Sequence, residues 1–142
     1  MRLSIEPTTD PGDYEFVHRI RVRFAETDAM GIVHHSRYLP YLEETRVEFL
    51  RRIDRPYDVM RAEGLDFAVL EAFVRYRSPL RFDDVVHVHL RVGSISRTTF
   101  QIGYLLTVVD DARPAATAVT VHAAVTSTGR PTRLPAWMLE LG

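Results

Sequence analysis

From Val17 to Phe24 the chain alternates, with Ile20, Val22 and Phe24 on one side and Arg19, Arg21 and Arg23 on the other. A period of two predicts a half-buried strand. At Ser36 the period changes. Tyr38, Leu42, Phe49 and Ile53 recur at helical spacing, with Leu39, Tyr41 and Leu50 beside them, while Glu43, Glu44, Arg46, Glu48, Arg51 and Arg52 fill the opposite face. This predicts one amphipathic helix of about four to five turns, with Ser36 as its N-cap. Pro40 limits where that helix can begin. Its ring is tolerated only near the first turn, where the missing N–H has no intrahelical partner, so the helix starts close to His35. Arg55-Pro56 ends it, and residues 57–63 have room for another turn or two before Gly64.

After Gly64 the chain reads almost entirely as strand: Phe67–Tyr76, Val85–Ile95, Thr98–Val109 and Ala116–Ser127. These runs are rich in β-branched and aromatic residues, and Pro79, Gly93-Ser94, Asp110-Asp111 and Gly129 punctuate them. Leu134 to Leu141 can close with a short helical turn, and residues 1–15, with two prolines and a glycine, read as a loose leader. One strand, one long helix and four strands make a single α+β domain over 1–142. A helix with one apolar stripe buries it by lying across the inner face of an antiparallel sheet. An open sheet also leaves edges that pair with a second copy.

Composition narrows the function. A chain of 142 residues, 46% hydrophobic, is long enough for one real core. A net charge of -1 supplies no field for nucleic acid or a membrane surface. The absence of cysteine removes thiol catalysis and Cys-ligated metals. All 18 Lys+Arg are arginine, so Schiff-base chemistry through lysine is excluded and phosphate contacts fall to arginine, with Arg91, Arg97, Arg130 and Arg133 as candidates. The N-terminus does not read as a signal peptide, and no apolar run approaches the roughly 18 residues of a spanning helix. The expectation is a soluble cytoplasmic protein.

The loop Glu26-Thr27-Asp28-Ala29-Met30-Gly31-Ile32-Val33-His34-His35 holds the densest chemistry, between a strand and a helix N-terminus. Free backbone N–H groups at such a junction favour negative charge. An acid seven residues earlier can face a substrate carbonyl while those N–H groups polarise it. On residue type alone Asp28 could equally be a turn or capping acid, and His34 and His35 ordinary loop residues. Adjacent histidines point apart and no H-x-x-x-H or H-E-x-x-H spacing is present, so the set reads as no metal site. Ser36 lacks the G-x-S-x-G elbow of a nucleophilic serine. Glu43 and Arg46 are spaced to pair on the helix, and His87, His89 and His122 read as sheet-face residues.

The run R-V-R-F-A-E-T-D-A-M-G-I-V-H-H-S-R-Y-L-P-Y-L-E-E-T-R-V-E-F-L resembles the signature of the 4-hydroxybenzoyl-CoA thioesterase-like family, in particular its YbgC-type acyl-CoA thioesterase branch. The resemblance continues through V-R-Y-R-S-P-L-R-F-D-D and T-T-F to about Pro135. It implies a hot-dog fold, a five-stranded antiparallel sheet wrapped around one long central helix. It also implies a homodimer that joins two sheets, often paired again as a homotetramer, with the active site at the dimer interface. Asp28 falls on the family's catalytic aspartate. His35 falls at the helix start, where a family backbone amide polarises the thioester carbonyl, and in the YbgC-like branch a histidine at that position is itself part of the catalytic site. Gly31, Ile32, Val33 and His34 fall along the substrate-binding loop, and Thr98 and Thr99 where members often place a hydroxyl near the pocket. Met30, His34 and Pro40 depart from the family pattern and bear on the shape of the pocket.

The expected activity is hydrolysis of acyl-CoA to free acid and CoA. A thiolate leaves well, so the reaction needs a carboxylate that attacks or activates water, plus an oxyanion site, and no metal or organic cofactor. Asp28 can be nucleophile or general base. The alternatives are an acyl-thioester hydratase or dehydratase on the same fold, and a non-catalytic acyl-CoA-binding module.

Overall fold

In the computed structural model residues 6–141 are described. Their strands are β1 (Phe16–Arg21), β2 (Leu65–Tyr76), β3 (Val85–Gly93), β4 (Thr99–Val108) and β5 (Pro114–Thr126). The helices are α1 (Tyr38–Arg52), α2 (Tyr57–Ala62) and α3 (Ala136–Leu139). The strands form one sheet in the order β1-β3-β4-β5-β2, and every neighbouring pair is antiparallel. The expected five-stranded α+β architecture is therefore present.

The helix packs as its stripe demands. Tyr38, Tyr41, Leu42, Thr45, Phe49 and Leu50 are buried, and Tyr38, Tyr41, Leu42 and Phe49 share one core with sheet residues such as Val88, Leu90, Ile102 and Tyr104. Each fully buried large apolar side chain contributes about 1.5–3 kcal/mol, so the helix is held by tertiary packing more than by propensity. Pro40 is the third residue of α1, inside the first turn as its chemistry requires.

Three boundaries differ from the pattern. β1 ends at Arg21, not Phe24. Val22 is still buried and pairs with Asp84, but a 3-10 turn over Phe24–Glu26 then rotates Phe24 outward, 74% exposed, edge-on to Phe82. Ser36 is not the cap. A 3-10 turn, His35–Arg37, precedes α1, and the His34 imidazole Nδ1 accepts the Ser36 N–H at 3.2 Å. Part of the expected loose leader is tied down. Pro11–Asp13 form a 3-10 turn, the Glu15 N–H bonds Leu90 O, and the Glu15 carboxylate accepts the Val92 N–H. Residues 1–5 of that leader lie outside the described residues. Among the described residues no helix is long and apolar enough to cross a membrane.

The two edges of the sheet are unlike. β1 is six residues long and carries His18, Arg19 and Arg21, the short charged form that resists self-pairing. β2 is twelve residues long, with Val69, Leu70, Phe73 and Tyr76 each about half exposed.

Candidate active site

Asp28 sits in a tight hairpin. Thr27 and Val33 pair across it, the Asp28 N–H bonds Ile32 O at 2.8 Å, and the Gly31 N–H bonds Asp28 O at 2.9 Å. The Asp28 carboxylate accepts the Met30 N–H at 2.8 Å, an Asx turn that orients it. Gly31 has φ +78° with open space where a Cβ would stand. Glycine is required there by the left-handed turn, not by crowding. Ile32 bridges Arg81, and the Val33 N–H bonds Leu80 O, which fastens the hairpin to the chain entering β3.

The second arm of the hairpin runs into the turn that starts α1. His34 caps that turn, and its ring lies 4.1 Å from the ring of His35. The His35 carbonyl accepts from the Tyr76 hydroxyl at 3.3 Å, and Tyr76 packs edge-on against Tyr38. Among the described residues the His35 N–H donates to no protein acceptor. Asp28, Gly31, Ile32, Val33, His34 and His35 are thus gathered at the C-terminal end of β2.

Glu26 organises this loop, a role its sequence position did not reveal. It is 6% exposed. Its carboxylate accepts the Arg23 N–H at 2.8 Å, the Arg23 guanidinium at 2.9 Å and the Tyr41 hydroxyl at 2.7 Å. Its carbonyl accepts the His34 N–H at 2.9 Å. Burial alone would raise its pKa, but these donors outweigh burial and hold it below the usual carboxylate value. The depressed pKa means that Glu26 contributes stability above the unfolded value near 4.5 and loses it as pH falls through the folded pKa. Glu26→Gln is expected to cost roughly 1–3 kcal/mol at pH 7 and to narrow its gap from wild type below pH 4.5. Urea unfolding across that range measures it, and a gap constant with pH would refute the assignment.

Thr98 and Thr99 stand at the opposite end of the sheet. Thr98 O accepts the Ala124 N–H, and Ala124 pairs with Phe67 near the start of β2. Thr99 closes the β3–β4 turn with Ser96, their hydroxyls 2.7 Å apart. At about 3.3 Å per residue, the length of β2 separates them from the Asp28 hairpin by on the order of 30 Å within one protomer. Arg97, Arg130 and Arg133 are exposed at this same end and make no ion pair among the described residues.

A cavity of about 380 Å³ opens at that end, between the C-terminal half of α1 and the sheet. Phe49, Leu50, Phe67, Val69, Phe100 and Ile102 make apolar walls, and Arg46, Tyr57 and His122 are among its polar lining. Its volume suits a small ligand group. Arg46 does not pair with Glu43 as its spacing suggested. It donates to the Tyr104 hydroxyl at 3.2 Å. His122 is 2% exposed, more enclosed than a sheet-face reading conveyed, and stacks on Phe100 with centroids 5.0 Å apart.

Comparison with known proteins agrees with this architecture. Residues 22–141 match the model of the thioesterase-like superfamily. The chain is 32% identical to the acyl-CoA thioester hydrolase YbgC of Escherichia coli over 80 residues, 56% of this chain and 60% of that protein. A crystal structure of a hypothetical protein from Aquifex aeolicus superposes with a TM-score of 0.84 at 43% identity, covering 89% of this chain and 98% of that one. A hypothetical protein from Thermus thermophilus superposes with a TM-score of 0.82 at 38% identity, covering 89% and 96%. With its antiparallel sheet around α1 and its match over most of its length, this chain belongs to the thioesterase-like superfamily and is a hot-dog-fold enzyme of thioester hydrolysis.

Proposed function

We propose that this enzyme hydrolyses acyl-CoA, with Asp28 as nucleophile or general base and the N–H groups at the start of α1 as the oxyanion site. The observation that carries the reading is the Asp28 hairpin, which sets an oriented carboxylate on one arm and the unspent His35 N–H at the end of the other. The likeness to YbgC, an acyl-CoA thioester hydrolase, supports the acyl-CoA substrate. As general base, Asp28 takes a proton from water as the oxygen adds to the thioester carbon. As nucleophile, it forms a mixed anhydride that water then opens. In both routes the carbonyl oxygen becomes an oxyanion met by the N–H donors, and the C–S bond breaks to release CoA thiolate. A thiol-release assay over acyl-CoAs of differing chain length and aromatic character tests the reading, and no release from any of them refutes it.

The working unit is a dimer joined along β2. Four half-exposed apolar residues on a long edge that pairs with no further strand among the described residues support this, because such an edge recruits another strand. A two-fold axis through the middle of β2 sets Tyr76 of one strand beside Leu65 of its mate. The Asp28 hairpin of one protomer then faces the cavity, the Thr98 turn and Arg97, Arg130 and Arg133 of the other. Such arginines suit CoA phosphates, and the cavity suits the acyl group. Phe73→Glu is expected to give monomer at micromolar concentration with activity lowered at least tenfold. Sedimentation together with the thiol assay measures both, and a fully active monomer overturns the shared site.

A further inference from the structure

The cavity beside α1 ends at one ring, and a second hollow lies behind it. Along the helix the lining of the cavity runs from Glu43 as far as Phe49 and Leu50, about 10 Å at 1.5 Å per residue. The second hollow, of about 360 Å³, is lined by Glu15, Phe16, Val17, Arg52, Ile53 and Leu141 together with Phe49. Phe49 is the one described residue that lines both. The C-terminal segment passes the two in turn, with Met138 on the wall of the first and Leu141 on the wall of the second.

The Phe49 ring is held in place. It is buried and meets the Phe16 ring edge-on, with centroids 5.5 Å apart. Phe16 lines the second hollow and not the first, so this contact braces Phe49 from behind. On a helix one of the three χ1 wells clashes with the preceding turn, which leaves the ring few other positions. Protein interiors are close-packed, so a chain that fills the cavity and meets the ring has no free volume ahead of it. The space beyond is apolar on Phe16, Val17, Ile53 and Leu141 and is cut off by one side chain.

We infer that Phe49 is a specificity-determining residue: its ring is the partition that sets the longest acyl chain the cavity accepts, and a smaller side chain there joins the second hollow to the acyl pocket. This rests on the acyl-CoA reading above, in which the cavity takes the acyl group, and deepens it. In an apolar pocket of fixed depth one methylene is worth roughly tenfold or more in discrimination. The limit is therefore a step in the chain-length profile, not a gradual decline. The two hollows are similar in volume, about 380 and about 360 Å³, so loss of the partition moves the step by several methylenes.

Two series of acyl-CoAs, each lengthened one methylene at a time, test this. One is straight-chain, from acetyl-CoA to palmitoyl-CoA, and the other is ω-phenylalkanoyl, from phenylacetyl-CoA upward. Thiol release gives kcat/KM for every member. Wild type is expected to show a step of roughly tenfold or more between two successive members. Phe49→Leu should move the step to longer chains and Phe49→Trp to shorter ones, with the shortest chains little changed in either. A purely structural role lowers every chain alike, so shifts in opposite directions separate a partition from mere packing. A wild-type profile with no step, which needs no variant to fold, overturns the inference. So does a step that stays at the same length in whichever variant folds, and both results leave thioester hydrolysis standing. No release from any member of either series removes the acyl-CoA reading and this inference with it.

Discussion

Asp28→Asn is expected to lower kcat by roughly two to four decades, the range for loss of a positioned acid–base group. The substitution is nearly isosteric. The amide oxygen can still accept the Met30 N–H that orients the native carboxylate, so the hairpin, its bridge to Arg81 and the fold are retained. What is lost is a group able to take a proton from water or to attack a thioester. The measurement is single-turnover and steady-state thiol release, with circular dichroism and sedimentation as controls on fold and assembly. Loss in kcat with little change in KM places Asp28 in the chemical step. Wild-type kcat in the Asp28→Asn protein would remove Asp28 from the mechanism.

The second large effect concerns acid stability and arises from His122. Its folded pKa lies at about 3 against 6.5 for the free side chain, because burial and then the Arg46 charge disfavour the imidazolium. Above pH 6.5 neither state is protonated, and the native state is at full strength. As pH falls below that value the unfolded chain binds a proton that the folded chain does not, and stability is lost down to about pH 3. The slope from this one group approaches about 1.4 kcal/mol per pH unit, and the loss accumulates to several kcal/mol across the window. That is a large share of the total stability of a domain of this size. His122→Phe keeps a ring against Phe100 and removes the titration, so it is expected to flatten the slope between pH 6.5 and 4. Urea midpoints of both proteins at several pH values measure this by difference, which cancels Glu26 and the other carboxylates. Parallel slopes would mean that the folded protein accommodates a protonated His122.

Much of the fold was legible because it rests on local periodicity. The apolar stripe of α1, the strand runs after Gly64 and the stop at Arg55-Pro56 are each decided by burying one face of one element, and a linear pattern records that. Pro40 located the helix start for a purely local reason, its missing N–H. The Asp28 loop stood out on composition, and its glycine has the left-handed conformation that glycine alone adopts freely. Ser36 and Phe24 misled for the opposite reason. The His34 imidazole takes the capping position two residues earlier by accepting the Ser36 N–H, and the buried Glu26 belongs to a 3-10 turn that follows β1, which ends at Arg21, three residues before Phe24.

Neighbours in the chain were enough to specify which segments are strand and helix, where the core residues lie, and which loop brings an acid to a helix terminus. Contacts between distant segments specified the rest. They clamp Glu26 between Arg23 and Tyr41, and they bond Arg46 to Tyr104 in place of Glu43. They leave β2 as an apolar edge, open the cavity far from Asp28 of the same chain, and seal His122 behind Phe100. These features depend on strand order and on side chains brought together across gaps such as Arg46 to Tyr104 to Thr120. Hydrophobic periodicity reports whether a position is buried, but the hydrogen-bond partner of a buried polar group is set by whatever the sheet order places beside it.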